Sequence, residues 1–300
     1  MLTRDSAAFL AHVQGLPRDF GPATAKAAFL VSPDGFARAE ESAQDNRYMA
    51  GAGDFDASTA SAQHHALQAA LSAELPVLCF PGAPATPDAV FPNNVFATVA
   101  GRMVIGRMRH PVRQREAGRA DVRGFFSQVL GYAEIDLSQQ PHVCELTGAL
   151  VIDRARGIGF CGLSDRCDAQ GAALMHEAFG LRATLLFDLA PGEYHTNVVL
   201  AVLAGRAVLY SPTGFADSGV SQVLQALYGP HAIALSAQEQ AEFAGNAISL
   251  SAHAVWMSAR AAAALMPGTQ QAVKAAGFAI RAVDLSALEA GGGSLRCCVA

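Results

Sequence analysis

One pattern of strands and helices repeats along this chain at intervals of about 50 residues. Two apolar strands joined by a short turn are followed by a helical stretch and another strand, beginning near residues 91, 143, 193 and 243. The less regular N-terminal stretch brings the total to about five ββαβ units. Five units closed into a ring would leave no open sheet edge. The repeat therefore predicts an α/β fold, a five-bladed α/β propeller, with residues 1–300 as one domain.

A doubly wound α/β sheet is the alternative fold for strands that alternate with helices. Nucleotide-binding members of that class carry a glycine-rich phosphate loop after the first strand. No such loop follows the first apolar run, Ala28-Phe29-Leu30-Val31. The repeat therefore favours the propeller.

Composition and charge exclude several classes of protein. With 51% apolar and 16% charged residues the chain is globular. Its formal net charge of −5 gives no sign of the basic surface that binds nucleic acid. No apolar run approaches the roughly 20 residues that span a bilayer, and the first five residues do not resemble a signal peptide. The six cysteines are irregularly spaced, without a set of zinc ligands. We expect a cytoplasmic protein with free thiols; its oligomeric state stays open.

The last ten residues contain the best candidate for a nucleophile. Three glycines, 291–293, allow the backbone to approach a ligand closely, and they lead to Arg296, Cys297 and Cys298. A cysteine beside an arginine is a candidate thiolate nucleophile. If residues 295–299 form a strand, the two cysteines point to opposite faces, and only one can face a central cavity.

Two further residues could take part in acid–base chemistry. His195 lies just before an apolar strand, where a neutral imidazole facing a cavity could act as general acid and base. The alternative is a hydrogen-bonded structural histidine. Glu145 is flanked by apolar residues, so its carboxylate needs a cationic or donor partner unless it keeps its proton or lies exposed at a strand edge.

Amides and arginines supply candidate binding groups. Asn93 and Asn94 stand between Phe91 and Phe96, with Asp88 shortly before them. Such amides form ordinary turns, but in an aromatic pocket they can also bind a planar polar group. Three arginines could bind a carboxylate through the guanidinium fork, although a single arginine is more typical of the solvated surface: Arg113, Arg115 and Arg166.

Taken in order, these motifs resemble those of the guanidine-modifying enzymes: arginine deiminase, dimethylarginine dimethylaminohydrolase and their relatives. Pro87-Asp88-Ala89-Val90-Phe91-Pro92-Asn93-Asn94 resembles the family's aspartate–aromatic–acid–acid segment. Cys144-Glu145-Leu146-Thr147-Gly148 resembles its glutamate–glycine turn, and Gly162-Leu163-Ser164-Asp165-Arg166-Cys167 its Gly-x-Ser-x-Arg-Thr segment, with Cys167 replacing threonine. The His195 segment and the Gly-Gly-Gly-x-x-Arg-Cys ending complete a series that runs from about residue 88 to 300.

The arginine-deiminase-related proteins, which include citrulline hydrolases, are the most similar subgroup. The shared segments are Phe-Pro-Asn-Asn, Tyr-His-Thr-Asn-Val, Phe243-Ala244-Gly245-Asn246 and Gly-Gly-Gly-Ser-x-Arg-Cys. The resemblance implies the five-bladed α/β propeller called a pentein, and chemistry without a metal or cofactor. It makes Cys297 the nucleophile, with Cys298 on the packed side. His195 becomes the general acid and base, and Glu145 the carboxylate that holds the substrate nitrogens.

On the same resemblance, the remaining candidates bind the substrate. Arg166, with Arg113 or Arg115, would hold the α-carboxylate of an amino acid, and the sequence leaves open which of the latter two points inward. Asp88 would bind the other polar end, and Phe91 would lie against the planar group.

The departures from the family bear on the substrate. Arginine deiminases carry aspartates where this chain has Asn94 and Asn197. Aspartates pair with a guanidinium, whereas an amide offers both the donor and the acceptor that match a neutral ureido group. We therefore expect a citrulline hydrolase that forms ornithine, carbon dioxide and ammonia through an S-carbamoyl cysteine, since only Glu145 remains to pair a guanidinium.

Several alternatives stay open at this point. An arginine dihydrolase would take arginine through to ornithine, and the amides fit it as well, since the dihydrolases of this superfamily are similar in carrying asparagine at this position. A deiminase or a methylarginine hydrolase would act on a guanidinium. Transfer of an amidino group to an amine is less favoured, because its donor would again be a guanidinium. A non-catalytic propeller that binds a partner protein is the alternative of another class.

Overall fold

The computed structural model describes residues 1–49 and 56–300. The strands in this part of the chain are short: β1 (Leu2–Thr3), β2 (Ala28–Val31), β3 (Val77–Phe80), β4 (Phe96–Val99), β5 (Arg102–Ile105), β6 (Ala133–Asp136), β7 (Leu150–Asp153), β8 (Ile158–Leu163), β9 (Ala183–Asp188), β10 (Leu200–Leu203), β11 (Ala207–Tyr210), β12 (Ala232–Ala234), β13 (Ala254–Ser258) and β14 (Ala279–Val283).

The α-helices of the same part range from single turns to four turns: α1 (Ser6–Val13), α2 (Glu40–Ala43), α3 (Ala57–Ser72), α4 (Pro111–Gln114), α5 (Ala120–Gly124), α6 (Leu146–Ala149), α7 (Ala169–Ala178), α8 (Thr196–Val199), α9 (Gly219–Tyr228), α10 (Ala237–Ala241), α11 (Ala259–Ala264), α12 (Pro267–Ala275), α13 (Ser286–Glu289) and α14 (Leu295–Cys298). None of them is both long and apolar enough to cross a membrane.

The strands form five separate sheets, which we call blades. In three of them the first two strands pair antiparallel and the second and third pair parallel: β4–β5–β6, β7–β8–β9 and β10–β11–β12. Helices connect the second strand of each to the third, as a parallel crossover requires. The predicted ββαβ unit is therefore present in each of these blades.

The other two blades are variations on the same unit. In the fourth, Ile248 and Trp256 exchange backbone hydrogen bonds of 3.0 and 2.8 Å in place of a full first strand, and β13 pairs parallel with β14. In the fifth, Ala300 pairs with Phe29 of β2 through bonds of 2.8 and 3.1 Å, and β2 pairs parallel with β3. The last residue thus joins the blade that β2 and β3 form.

Shared apolar layers hold neighbouring blades together. β8 is buried along nearly its whole length. Its sequence is therefore apolar at almost every position, instead of alternating between apolar and polar residues. Phe160 of β8 and Leu185 of β9 pack in one cluster with Leu200 and Val208 of the next blade. Burial of each such side chain contributes about 1.5–3 kcal/mol, so the interfaces between blades carry much of the stability.

Short helical turns meet at the centre of the ring. The 3-10 turn Pro92–Asn94 contacts both α6 and α14, and α6 contacts α8. The side chain of Asn246 donates to the carbonyl of Asn197 at 2.9 Å, and the amide of Arg296 donates to the carbonyl of Asn246 at 3.4 Å. These contacts run around the whole axis and bring residues from all five units to one place.

The predicted strand over residues 295–299 is wrong. Residues Leu295–Cys298 form a single helical turn, in which the amides of Cys297 and Cys298 bond to the carbonyl of Ser294 at 3.0 and 3.3 Å. Residues at the axis have no neighbouring strand, so their backbone groups bond within the turn or to another central segment. Cys297 and Cys298 therefore do not point to opposite faces of a strand, as the sequence had suggested.

Candidate active site

A small cavity of about 20 Å³ lies where the central turns meet. It is lined by Ser42, Asn46, Asp88, Phe91, Asn94, Arg113, Arg166, Tyr194, His195, the three glycines 291–293 and Cys297. Seven of the residues that the sequence analysis selected are in this set. Asn93, Arg115, Glu145 and Asn197 are not.

Cys297 is buried with its sulfur held by amides. Its Sγ accepts a hydrogen bond from Nδ2 of Asn246 at 3.3 Å, and Nδ2 of Asn197 lies 3.9 Å away. The backbone amide of Cys297 donates to Oδ1 of Asn246 at 3.4 Å. Burial raises the pKa of the Cys297 thiol, although the Asn246 hydrogen bond and the charge of Arg296 oppose the rise. The side chain of Cys297 is therefore mostly in its thiol form at neutral pH.

The neighbouring thiol has a different setting. Cys298 is fully buried in an apolar cluster with Leu30, Val90 and Leu285, and it does not line the cavity. Burial raises its pKa well above the ordinary value. Among the six cysteines, all of which are free, Cys79 is the one that is exposed.

Glu145 and His195 form a buried acid–base pair. Nε2 of His195 lies 2.8 Å from Oε2 of Glu145, and both side chains are inaccessible to solvent. Burial alone would raise the pKa of Glu145, but the charges of Arg166 and His195 outweigh it and hold the pKa well below its usual range. An ionised carboxylate only accepts, so the proton lies on Nε2.

The other ring nitrogen of His195 is therefore available as a base. Burial lowers the pKa of His195, and the bond and charge of Glu145 offset this only in part, so the imidazole is neutral at pH 7. Nδ1 has no hydrogen-bond partner among the described residues. Glu145 orients the ring, as carboxylates commonly orient functional histidines.

Gly148 allows the acid–base pair to approach the amides. A Cβ atom at this position would lie 2.7 Å from Oδ1 of Asn94 and 2.9 Å from Nε2 of His195. Both distances are shorter than a normal contact, so only glycine fits. This explains the glycine that follows Glu145 in the motif, and it brings Asn94 next to His195.

The three asparagines that the sequence selected lie in different places. Asn94 lines the cavity, and its Oδ1 has no partner among the described residues. Asn93 is fully buried beside the cavity, with neither amide atom bonded within the described chain. Nδ2 of Asn197 lies 3.9 Å from Sγ of Cys297, and Oδ1 of Asn197 accepts a hydrogen bond from Nδ2 of Asn246 at 3.4 Å.

Arg113, and not Arg115, faces the cavity. Arg113 is buried and bonds to Glu116 through Nε and Nη2, both at 2.9 Å, and Nη2 also donates to the carbonyl of Phe91 at 3.0 Å. These bonds do not use Nη1. Arg115 is exposed and lines a separate surface pocket with Arg107.

Asp88 and Phe91 form the wall next to the glycines. Oδ2 of Asp88 accepts from Ser42 Oγ at 2.6 Å, while Oδ1 is buried and has no partner among the described residues. Burial raises the pKa of Asp88 despite the charge of Arg113. A Cβ atom on Gly293 would lie 2.9 Å from the Phe91 ring, so the glycine run is needed for the backbone to lie against that ring.

Sequence analysis assigned no role to several residues of the site. Asn246 belongs to a quoted motif, but its contact with the sulfur could not be predicted. Ser42, Asp45 and Asn46 carry no motif, and Tyr194 was noted only as the neighbour of His195. The hydroxyl of Tyr194 donates to the carbonyl of Gly292 at 2.6 Å, which fixes the glycine run.

Replacing Asn246 by alanine tests its hold on the nucleophile. We expect the Cys297 pKa to rise by about one unit, because a buried thiolate loses its amide donor. The measurement is the pH dependence of Cys297 alkylation by iodoacetamide, followed by peptide mass in a Cys79→Ser background. An unchanged profile would contradict the expectation.

Comparison with solved structures identifies the fold. The N-terminal domain of ArgZ, an arginine dihydrolase from the ornithine–ammonia cycle in cyanobacteria, matches with a TM-score of 0.79 and 19% identity, over 91% of this chain and 97% of that one. A dimethylarginine dimethylaminohydrolase solved as an adduct with S-methyl-L-thiocitrulline matches with a TM-score of 0.68 and 19% identity, over 91% and 98%. The fold is that of the pentein superfamily, and the predicted α/β propeller class is confirmed.

Sequence comparison then gives the family. The family model described as N,N dimethylarginine dimethylhydrolase, eukaryotic, matches residues 32–300, and the chain belongs to this family. The N(G),N(G)-dimethylarginine dimethylaminohydrolase of Mycobacterium tuberculosis (strain ATCC 25618 / H37Rv) is 31% identical over 212 residues. That match spans 71% of this chain and 65% of the relative, slightly less than two thirds of its length.

Proposed function

We propose that the protein is a cysteine-dependent hydrolase of the ureido group of citrulline, which it converts to ornithine, carbon dioxide and ammonia. The carrying observation is that the neutral amide of Asn94 lines the cavity together with His195, and that both side chains lie within 3 Å of the position a Cβ atom on Gly148 would occupy. Glu145 is already paired with Arg166 and His195, and it does not line the cavity. Glu145 could hold a guanidinium only by giving up part of this pairing, whereas a ureido group can bond to an amide.

The first half of the reaction forms a covalent intermediate. His195 Nδ1 takes the thiol proton of Cys297, and the thiolate attacks the ureido carbon. The bond from that carbon to the side-chain nitrogen then breaks. His195 returns its proton to this nitrogen, which leaves as the amine of ornithine, and Cys297 keeps the carbamoyl group.

The second half restores the thiol. His195 removes a proton from a water molecule, which attacks the carbamoyl carbon of the thioester. The carbon–sulfur bond breaks, and Cys297 regains its proton from His195. The product is carbamic acid, which decomposes to carbon dioxide and ammonia. These steps use only side chains of this chain and water.

The amino-acid part of the substrate would be bound by two charged groups of the cavity wall, Arg113 and Asp88. Nη1 of Arg113 is the guanidinium nitrogen left for the α-carboxylate, because Glu116 and a carbonyl occupy Nε and Nη2. The unpartnered Oδ1 of Asp88 would accept from the α-ammonium group. Phe91 would pack against the aliphatic and planar parts. Arg166 also lines the cavity, but it is paired with Asp45 and Glu145.

A guanidino substrate, arginine or a methylated arginine, is the second candidate. The family match and the 31% identical relative favour it. Such a substrate would require Glu145 to give up part of its pairing to His195 and Arg166. This cost is the physical argument for placing citrulline first.

Replacing Asn94 by aspartate tests the assignment. The wild type should prefer citrulline over arginine by about 100-fold in kcat/KM, and the aspartate should lower this ratio by at least about tenfold, since it favours a cation. Gln139→Glu, the same chemical change on the exposed surface, should leave the ratio unchanged. A wild type that prefers arginine or dimethylarginine would contradict the citrulline proposal.

A further inference from the structure

Residues 41–46, which we call the covering segment, lie over the cavity. Ser42 and Asn46 line it directly. Three hydrogen bonds hold the segment in place: Ser42 Oγ to Asp88 at 2.6 Å, Asn46 Nδ2 to the Gly292 carbonyl at 3.2 Å, and the Val112 amide to Glu41 at 3.0 Å. The segment is thus tied to the first and last parts of the site.

The strongest tie of the covering segment is an ion pair with Arg166. Nε of Arg166 donates to Oδ2 of Asp45 at 3.0 Å, and Nη2 donates to Oδ1 of the same carboxylate. This is the paired geometry that arginine forms with carboxylates. Asp45 is also bound on its other side by Nε2 of His110, at 3.1 Å.

Most donors of Arg166 are engaged by groups of the protein. Nη2 also donates to the Ser42 carbonyl at 3.2 Å, and Nη1 lies 3.3 and 3.5 Å from the two oxygens of Glu145. All three guanidinium nitrogens are thus engaged, although the two Nη1 contacts go to one carboxylate and use one N–H group between them. The Arg166 side chain is 2% exposed, so its charge acts on these two carboxylates and not on water.

A continuous line of charges therefore runs from the covering segment to the acid–base residue. Asp45 contacts Arg166, Arg166 contacts Glu145, and Glu145 contacts His195 at 2.8 Å. One cation is shared by two anions. Asp45 neutralises part of the positive charge of Arg166, so Arg166 offsets less of the negative charge of Glu145. Glu145 then stabilises a proton on His195 more strongly.

We propose that Asp45 is a positioning residue for catalysis, which acts through Arg166 and Glu145 to set the basicity of His195. The inference rests on the proposed function only in giving His195 its role. The proton affinity of His195 can be measured without any substrate. The site is, on this account, complete only with the covering segment in place.

The groups around this line of charges determine the direction in which the pKa of His195 should change. His195 is faced by Glu145, Arg166 and Arg113, by the ring of Tyr194 at 4.5 Å between centroids, and by the thiol of Cys297 across the cavity. The neighbouring charges of the covering segment are engaged elsewhere, Glu41 with the Val112 amide and Arg47 with Glu193. Removing the negative charge of Asp45 leaves Arg166 undivided on Glu145, so the pKa of His195 must fall further.

The test is an NMR titration of the histidine ring protons in the full chain. Asp45→Asn should lower the His195 pKa by about 0.5–1 unit. Asp45→Glu keeps the charge and should leave it within about 0.3 unit of the wild type. The matched control is Asp19→Asn, which removes an exposed partner of Arg182 and should change nothing. A His195 titration unmoved in folded Asp45→Asn would overturn the proposal.

Kinetics separate this role from two others. Lower His195 basicity should reduce kcat about tenfold and change KM by less than about twofold. A lower KM at unchanged kcat would mean that Asp45 competes with the substrate carboxylate for Arg166, and would overturn the proposal. If citrulline is not turned over, the NMR titration still decides the role of Asp45, and the failure falls on the proposed function alone.

Discussion

Replacing Cys297 by alanine should abolish turnover, with kcat reduced by at least about 10⁴-fold. Its sulfur lies at the cavity within reach of two side-chain amides, Asn246 and Asn197. Without it, water would have to attack the ureido carbon directly, with no covalent step to divide the barrier. The measurement is ornithine release from citrulline under saturating substrate.

The matched control for this prediction is the adjacent residue. Cys298→Ala removes a thiol of the same turn that packs away from the cavity. We expect it to cost roughly 1–2 kcal/mol of stability and to change kcat by less than about fivefold. A Cys297→Ala protein that still turns over, or a Cys298→Ala protein that loses activity while folded, would reverse the assignment of the nucleophile.

Replacing His195 by asparagine should reduce kcat by about 10³-fold. Asparagine can still donate a hydrogen bond to Glu145, so the packing is kept, but it carries no proton between thiol, amine and water. The limb of the pH–rate profile that reports the His195 ionisation should disappear with it. Because burial lowers the pKa of His195, this limb in the wild type lies on the acid side of pH 6.5.

His176→Asn provides the comparison. His176 is a half-buried histidine of α7 that bonds to Thr184 at 2.9 Å, outside the cavity. Its replacement should leave the acid limb and kcat within about twofold of the wild type, as expected for a change remote from the site. Retention of the acid limb in His195→Asn would show that another group carries the proton.

The repeat in the sequence was sufficient to predict the ring of five units. Apolar strands with helical crossovers recur because each blade needs the same local pattern, which is visible along the chain. The turn at residues 295–298 was mispredicted for a related reason. Its residues are as apolar as those of a strand, and only their place at the axis, away from any partner strand, makes them helical.

The site could be predicted where its residues lie in motifs. Cys297, His195, Arg166 and Asn94 were found because each belongs to a segment of recognisable order. Asp45 lies 121 residues from its partner Arg166, and such a contact leaves no periodic trace in the sequence. The sequence could not decide between Arg113 and Arg115, because the two residues lie in adjoining short helices. Only the structure shows which of the two side chains points inward.

The glycines illustrate what a sequence motif records. Gly148 and Gly293 are needed because the side chains of His195 and Phe91 occupy the space of a Cβ atom. Their positions in the motifs therefore reflect the packing of the site, although this reason becomes visible only when the neighbouring units are in place.

The most direct test of the central claim is a product assay on the purified protein, with citrulline and arginine side by side and Cys297→Ala as the blank. The account predicts ornithine and ammonia in equal amounts from citrulline, with little product from arginine. Accumulation of citrulline from arginine or dimethylarginine, with no ornithine from citrulline, would contradict it and would show that the amide of Asn94 serves a guanidinium substrate.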